Sequence, residues 1–139
     1  MLVRDFMTSL IVTADVATPV IEAAKIMAVE DVGSVIVTKN DILAGLVTQK
    51  DIIEAQLLSE GVYHRLTLED IMSSPVVTIS PDADLGQAIG LMHQTGKRHI
   101  PVIEGDDIIG IVTSTDVLRV LATMKLIADG DRKPRLAGT

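Results

Sequence analysis

Cysteine is missing from all 139 residues, which excludes disulfides, thiolate nucleophiles and Cys-ligated metal sites. Aromatic residues are nearly missing too, with one Phe, one Tyr and no Trp. The usual platform for stacking single-stranded bases is therefore absent, and the core must be built from Ile, Val, Leu, Ala and Met. Positive charge is in deficit: the net charge of −7 leaves no basic footprint for a phosphate backbone, so nucleic acid is not an expected partner. Uninterrupted apolar runs are a few residues long, far below the roughly 18 needed to span a bilayer, so no membrane association is expected. An acidic Asp5 stands where a signal peptide would begin its apolar stretch. A cytoplasmic location is the expectation. His64, His93 and His99 lack metal-ligand spacing, and no Gly-x-Gly-x-x-Gly, Walker loop or local Ser/His/Asp set is present. An enzyme is not expected.

What the chain does contain is a duplication at a constant offset of sixty-five residues without a gap. Gly45-Leu46-Val47-Thr48-Gln49-Lys50-Asp51 returns as Gly110-Ile111-Val112-Thr113-Ser114-Thr115-Asp116. The same offset carries Met7 onto Met72, Ser9 onto Ser74, Val12-Thr13 onto Val77-Thr78, Ala23 onto Ala88, Met27 onto Met92 and Val37 onto Val102. Two copies are too few for a solenoid, which needs about three. They suit one compact pair related by a pseudo-two-fold axis, with any binding site occurring twice.

In the first copy, Leu10 to Thr13 reads as a strand and Thr18-Pro19 as the start of a helix carrying Val20, Ala23, Ala24 and Met27 on one face, ended near Gly33. Ser34 to Thr38 and Leu43 to Val47 read as a hairpin about Lys39-Asn40-Asp41. Thr48 opens a second helix whose apolar side includes Ile52, Ile53 and Leu57, with Gly61 as its stop. The second copy repeats the order: a strand from Pro75 to Ile79, a helix carrying Leu85, Ala88, Ile89 and Met92, a hairpin from His99 to Val112, and a helix from about Ser114 to Ala128. Thr67-Leu68-Glu69-Asp70 is a capping-box pattern for a short connecting helix, and Met1 to Thr8 forms its counterpart. The fold class is thus α/β (α+β), two strand–helix–strand–strand–helix units whose apolar sheet faces are buried by pairing. Expected domain limits are 1–62 with the N-terminal segment, 63–128 with the connecting helix, and a polar, disordered tail over 129–139.

Two constellations carry chemistry. Thr48 with Asp51, and Thr113 with Asp116, equally describe plain helix caps. The Gly-apolar-apolar triplet before each adds a second meaning, because glycine within a strand often marks close approach of a ligand or another backbone. A hydroxyl and free N–H groups at a helix start favour phosphate, and a carboxylate one turn on can accept both ribose hydroxyls. The other constellation is Lys97-Arg98-His99-Ile100-Pro101-Val102. Arg98 offers a planar fork for phosphate, Lys97 a point charge and His99 a tunable donor, whereas the first copy has Val32-Gly33-Ser34 at the matching positions. Metal contact by Asp41 or Asp106-Asp107 is a remote option against their ordinary role in turns, and Arg132, Lys133 and Arg135 read as a solvated basic tail.

The repeated unit, the paired Gly-x-x-Thr-x-x-Asp motifs and Arg98-His99-Ile100-Pro101-Val102 closely resemble a tandem cystathionine-β-synthase (CBS) domain pair over roughly residues 2 to 125. The resemblance implies two clefts for adenosyl ligands, with AMP first among ADP, ATP and S-adenosylmethionine. It implies ribose contacts from Asp51 and Asp116, ribose or phosphate contacts from Thr48, Thr113 and Thr115, and phosphate contacts from Arg98 and His99, with Lys97 beside them. Val12 and Val32-Gly33-Ser34 would line the Asp116 cleft and Val77 the Asp51 cleft, while Leu46 and Ile111 flank adenine and Pro101 follows the basic segment. Lys50 departs from the pattern by standing where the second copy has the hydroxyl of Thr115. With no basic pair in the first copy, the Asp116 cleft is expected to be the better phosphate site. The implied function is a stand-alone regulatory sensor, a homodimer acting on an unknown partner; the alternative is a dimeric interaction scaffold with vestigial clefts.

Overall fold

The computed structural model describes residues 1–130 and 136–137. The basic residues Arg132, Lys133 and Arg135, with most of the expected tail, lie outside the described residues. Helix α1 (Val3–Phe6) leads into strand β1 (Thr13–Asp15), helix α2 (Val20–Glu30), the β2–β3 hairpin (Ser34–Lys39, Ile42–Thr48) and helix α3 (Gln49–Gln56). Two short helices, α4 (Glu60–Tyr63) and α5 (Leu68–Ile71), connect to helix α6 (Leu85–Thr95), the β4–β5 hairpin (His99–Glu104, Asp107–Thr113) and helix α7 (Ser114–Ala128). The fold is α/β, as expected, and the last helix has the limits expected of it.

Local chemistry explains most of the boundaries. Asn40 and Asp41 take positive φ (52° and 63°) at the β2–β3 turn, which short polar side chains tolerate. Helix α2 ends at Asp31 in the left-handed conformation, and α6 ends in the same way at Gly96, its counterpart at the sixty-five-residue offset. Gly33 is therefore not the helix stop. Helix α6 starts at Leu85 because Asp84 and Gln87 close a reciprocal cap, Gln87 N–H to Asp84 Oδ1 at 2.7 Å and Asp84 N–H to Gln87 Oε1 at 2.8 Å. Helix α3 ends at Gln56, and Gly61 lies inside α4 rather than at a stop.

The strand expected over Pro75 to Ile79 does not form. In the first copy β1 pairs parallel with β2, starting from Ile36 N–H donating to the Val12 carbonyl at 2.9 Å. The counterpart of Ile36 is Pro101, which has no N–H to give the Val77 carbonyl. Only Ile79 still pairs, through its N–H to Pro101 O and its carbonyl from Ile103 N–H, each 3.0 Å. One sheet is thus β1-β2-β3 and the other β4-β5 alone.

Each copy has its own aliphatic core, one around Val20, Ala23, Val35, Val37, Val47 and Leu68, the other around Val3, Ala88, Ile100, Val102 and Val112. The connecting elements are exchanged between them. Val3 from α1 is fully buried in the second core, where its N–H donates to Ala83 O at 2.8 Å, and Leu68 from α5 is fully buried in the first, donating to Thr18 O at 2.9 Å. Arg4 adds to the first exchange by bridging Asp82 and Glu104 at 2.8 and 2.9 Å, contacts that raise its already high pKa, led by the hydrogen bond to Asp82. Ile53 and Leu57, expected on the apolar side of their helix, are instead exposed, leaving Ile52 and Ala55 to face the core.

Candidate functional site

The glycines before the two Thr-x-x-Asp motifs make room for protein. A Cβ on Gly45 would collide with the side chain of Met72, and one on Gly110 would lie 2.7 Å from Met7 Sδ and 2.9 Å from the Thr8 carbonyl. The exchanged lead-in segments therefore cross the hairpins at these positions, each held by a bridge: Thr8 to Ile111 and Ser73 to Leu46. That crossing brings the residues after α5 alongside the end of β3, and it creates the larger of two clefts.

This larger cleft has a volume of about 970 Å³. Leu46, Thr48, Lys50 and Asp51 line it from the first copy, and Val77 from the segment that follows α5. From the second copy come Lys97, Arg98 and His99 at the entrance of β4, and Thr113 and Thr115 at the start of α7. Thr48 caps α3: its N–H and Oγ1 donate to Oδ2 of Asp51 at 2.8 and 3.1 Å. The other oxygen, Oδ1, accepts no hydrogen bond from the described residues. Lys97 and Arg98 form no ion pair among the described residues, while Lys50 stands 3.9 Å from Glu54. Two cations without counter-ions, on a chain of net charge −7, face one cleft with an available carboxylate oxygen.

The smaller cleft measures about 200 Å³ and is lined by Val12, Val32, Gly33, Ser34 and Ile111, with Thr8, His99 and Thr113. Val12 and Val32-Gly33-Ser34 share this cleft with Thr113 of the second Thr-x-x-Asp motif. The basic pair is not where the ranking of the clefts put it. Lys97 and Arg98 open into the Asp51 cleft, because the segments matching Val32-Gly33-Ser34 serve the opposite copy's motif in both halves. Asp116 lines neither cleft. It is 2% exposed, its Oδ2 accepts from Thr113 N–H and Oγ1 at 2.9 and 3.1 Å, and its Oδ1 accepts from Thr8 Oγ1 at 3.0 Å and Arg119 Nη1 at 3.2 Å. Pro101 lines neither cleft and is fully buried within β4.

His99 borders both clefts. Its Nδ1 is buried without a hydrogen-bond partner among the described residues. Burial lowers the imidazole pKa below its ordinary value and nearby Arg98 lowers it further, against an opposing pull from Asp116. Burial and Arg98 thus favour the neutral ring, in which one nitrogen donates and the other accepts.

The sequence pattern missed Gln49, Glu54, Ser73, Pro75, Val76 and Ser114, which also line the larger cleft. Two of them carry a signal in the duplication: Ser73 is the counterpart of Thr8, and Glu54 of Arg119. Among the described residues no group of three or more His, Asp or Glu is placed to hold a metal ion, and no helix is long and apolar enough to cross a membrane.

The family model of the CBS domain matches residues 3–58 and 68–123. The chain belongs to the CBS domain family. Both CBS repeats contain the Thr-x-x-Asp motif within the matched span. A solved structure of the CBS domain pair of protein MJ0100, in complex with 5′-methylthioadenosine and S-adenosyl-L-methionine, is 26% identical with a TM-score of 0.80, covering 89% of this chain and 98% of that one. Among curated relatives, an A-adding tRNA nucleotidyltransferase of Geobacter sulfurreducens is 26% identical over 86% of this chain, and a homoserine O-acetyltransferase of Methanosalsum zhilinae 30% identical over 80%. This chain spans 13% and 23% of the lengths of those two enzymes, so the likeness covers only a small part of each.

Proposed function

We propose that this CBS pair is a regulatory module that binds an adenine nucleotide in the Asp51 cleft. The observation that carries it is the conjunction of Asp51 Oδ1, open to a ribose, with the unpaired cations Lys97 and Arg98 on the facing wall of a 970 Å³ cleft. That volume is at the upper end of the roughly 300–1,000 Å³ usual for small-molecule sites. Thr48 and Thr113 to Thr115 add hydroxyls and helix-start amides suited to phosphate oxygens, and Leu46 and Val77 offer apolar contact to a base. The adenosyl ligands of MJ0100 support the adenosyl class; the cations here favour the anionic members AMP, ADP and ATP over the sulfonium of S-adenosylmethionine.

The ligand would span both repeats, touching α3 of the first and β4 and α7 of the second. Differential affinity for one mutual arrangement of the repeats shifts their equilibrium, and a partner reads the shift. That partner is another protein surface or a second copy in a homodimer. No nucleophile or acid–base pair is part of the proposal. Calorimetry with AMP, ADP, ATP, S-adenosylmethionine and adenosine tests it: the anionic nucleotides should bind more tightly than adenosine. A cleft that binds none of these compounds leaves the interaction-scaffold reading in its place.

A further inference from the structure

The two clefts start from the same motif and end in different states. In the first repeat, Asp51 keeps one oxygen open. In the second, both oxygens of Asp116 are engaged, and the extra partners are Thr8 Oγ1 and Arg119 Nη1 on Oδ1. The counterparts of those two partners in the first repeat are Ser73 and Glu54. Ser73 forms no hydrogen bond to Asp51, and Glu54 offers an acceptor carboxylate where the second repeat has the five N–H donors of Arg119.

We infer that the chain takes one nucleotide rather than two, because Thr8 and Arg119 occupy the carboxylate that the second site needs for a ribose. This rests on the proposed nucleotide function and adds the stoichiometry and its cause. A ribose hydroxyl donates to a carboxylate oxygen as a threonine hydroxyl does, so Thr8 stands in for the sugar. Arg119 supplies the second bond and cancels the charge. The remaining cleft of about 200 Å³ falls below the roughly 300 Å³ at which small-molecule sites begin, and neither Lys nor Arg lines it. A sugar could enter only by displacing the Thr8 hydroxyl from the buried Asp116 carboxylate, together with the bond from Arg119, whose side chain is itself 68% exposed and adds less. The lock is carried by the exchanged N-terminal segment, since Thr8 follows α1 and bridges to Ile111.

Calorimetry with AMP should give one site per chain. That site should be lost in Asp51→Asn and kept, within about twofold, in Thr8→Val. The Thr8→Val/Arg119→Ala double variant should gain a second, weaker site for adenosine, used because no cation is there to hold phosphate. Two AMP sites in the unaltered chain, or a single site that survives Asp51→Asn, overturns the lock and leaves the nucleotide reading standing. If AMP does not bind at all, the nucleotide reading falls and the lock is decided by urea unfolding. Thr8→Val and Arg119→Ala should then each lower the midpoint in the native background and have no effect once Asp116→Ala, which removes the shared acceptor, is present. Unchanged effects in that background overturn the lock.

Discussion

The imidazole of His99 lies directly against Gly33, so that a Cβ at position 33 would stand 2.9 Å from its Cε1. With Thr113, the two residues form the partition between the clefts, since all three border each one. Gly33→Ala should therefore displace the ring and change the affinity of the larger cleft for AMP without touching Asp51, Lys97 or Arg98. An affinity unchanged by this substitution, measured by calorimetry, would show that the ring can give way at no cost.

The same ring predicts a pH dependence of stability. Burial lowers the His99 pKa in the folded chain below its ordinary value near 6.5. Below about pH 6.5 the unfolded chain then binds more protons than the folded one, so the stability present above that pH is lost as pH falls toward the folded pKa. Urea midpoints at pH 8 and pH 5 should differ more for the native chain than for His99→Gln. Equal slopes for the two would place the acid-sensitive group elsewhere.

Arg98→Ala and Lys97→Ala are expected to weaken AMP binding by about tenfold or more each, the scale of a lost charge-assisted hydrogen bond, with little effect on adenosine. Their joint position in the larger cleft makes the distinction sharp. Equal losses for AMP and adenosine would mean that they shape the cleft rather than contact phosphate.

Gly110→Ala should cost on the order of 1–3 kcal/mol in urea unfolding, as overpacking does. Gly45→Ala should cost a comparable amount: there the added carbon meets Met72 down to its Cβ, 2.8 Å away, and at Gly110 it meets the backbone carbonyl of Thr8 at 2.9 Å, so turning a side-chain end relieves neither clash. A neutral result at either glycine would show that the lead-in segment over that hairpin is soft.

Val3→Ala should destabilise the fold by about 2 kcal/mol although it lies near the N-terminus, since it removes two methyl groups from a fully buried position. Leu68→Ala, its counterpart in the other core, should cost about 2–5 kcal/mol. A neutral Val3→Ala would mean that α1 is not an integral part of the second core.

Much of this was legible in the chain. The constant offset, the apolar hairpins and the Thr-x-x-Asp caps are local patterns, so the sequence by itself determined the α/β class, the duplicated motif of the CBS pair and most of the order of elements, though not the short helix α4. Even the missing strand was written there, since Pro101 in place of Ile36 removes one donor. Partner choice across the axis was not. Lead-in segments with similar apolar residues fit either core, and only packing sends Val3 to the second and Leu68 to the first. That exchange decides what lies over Gly45 and Gly110, which cleft receives Lys97 and Arg98, and which aspartate is sealed. Local periodicity reports which face of an element is buried, not against what; contacts between residues as far apart as Thr8 and Asp116 exist only once the chain has closed on itself.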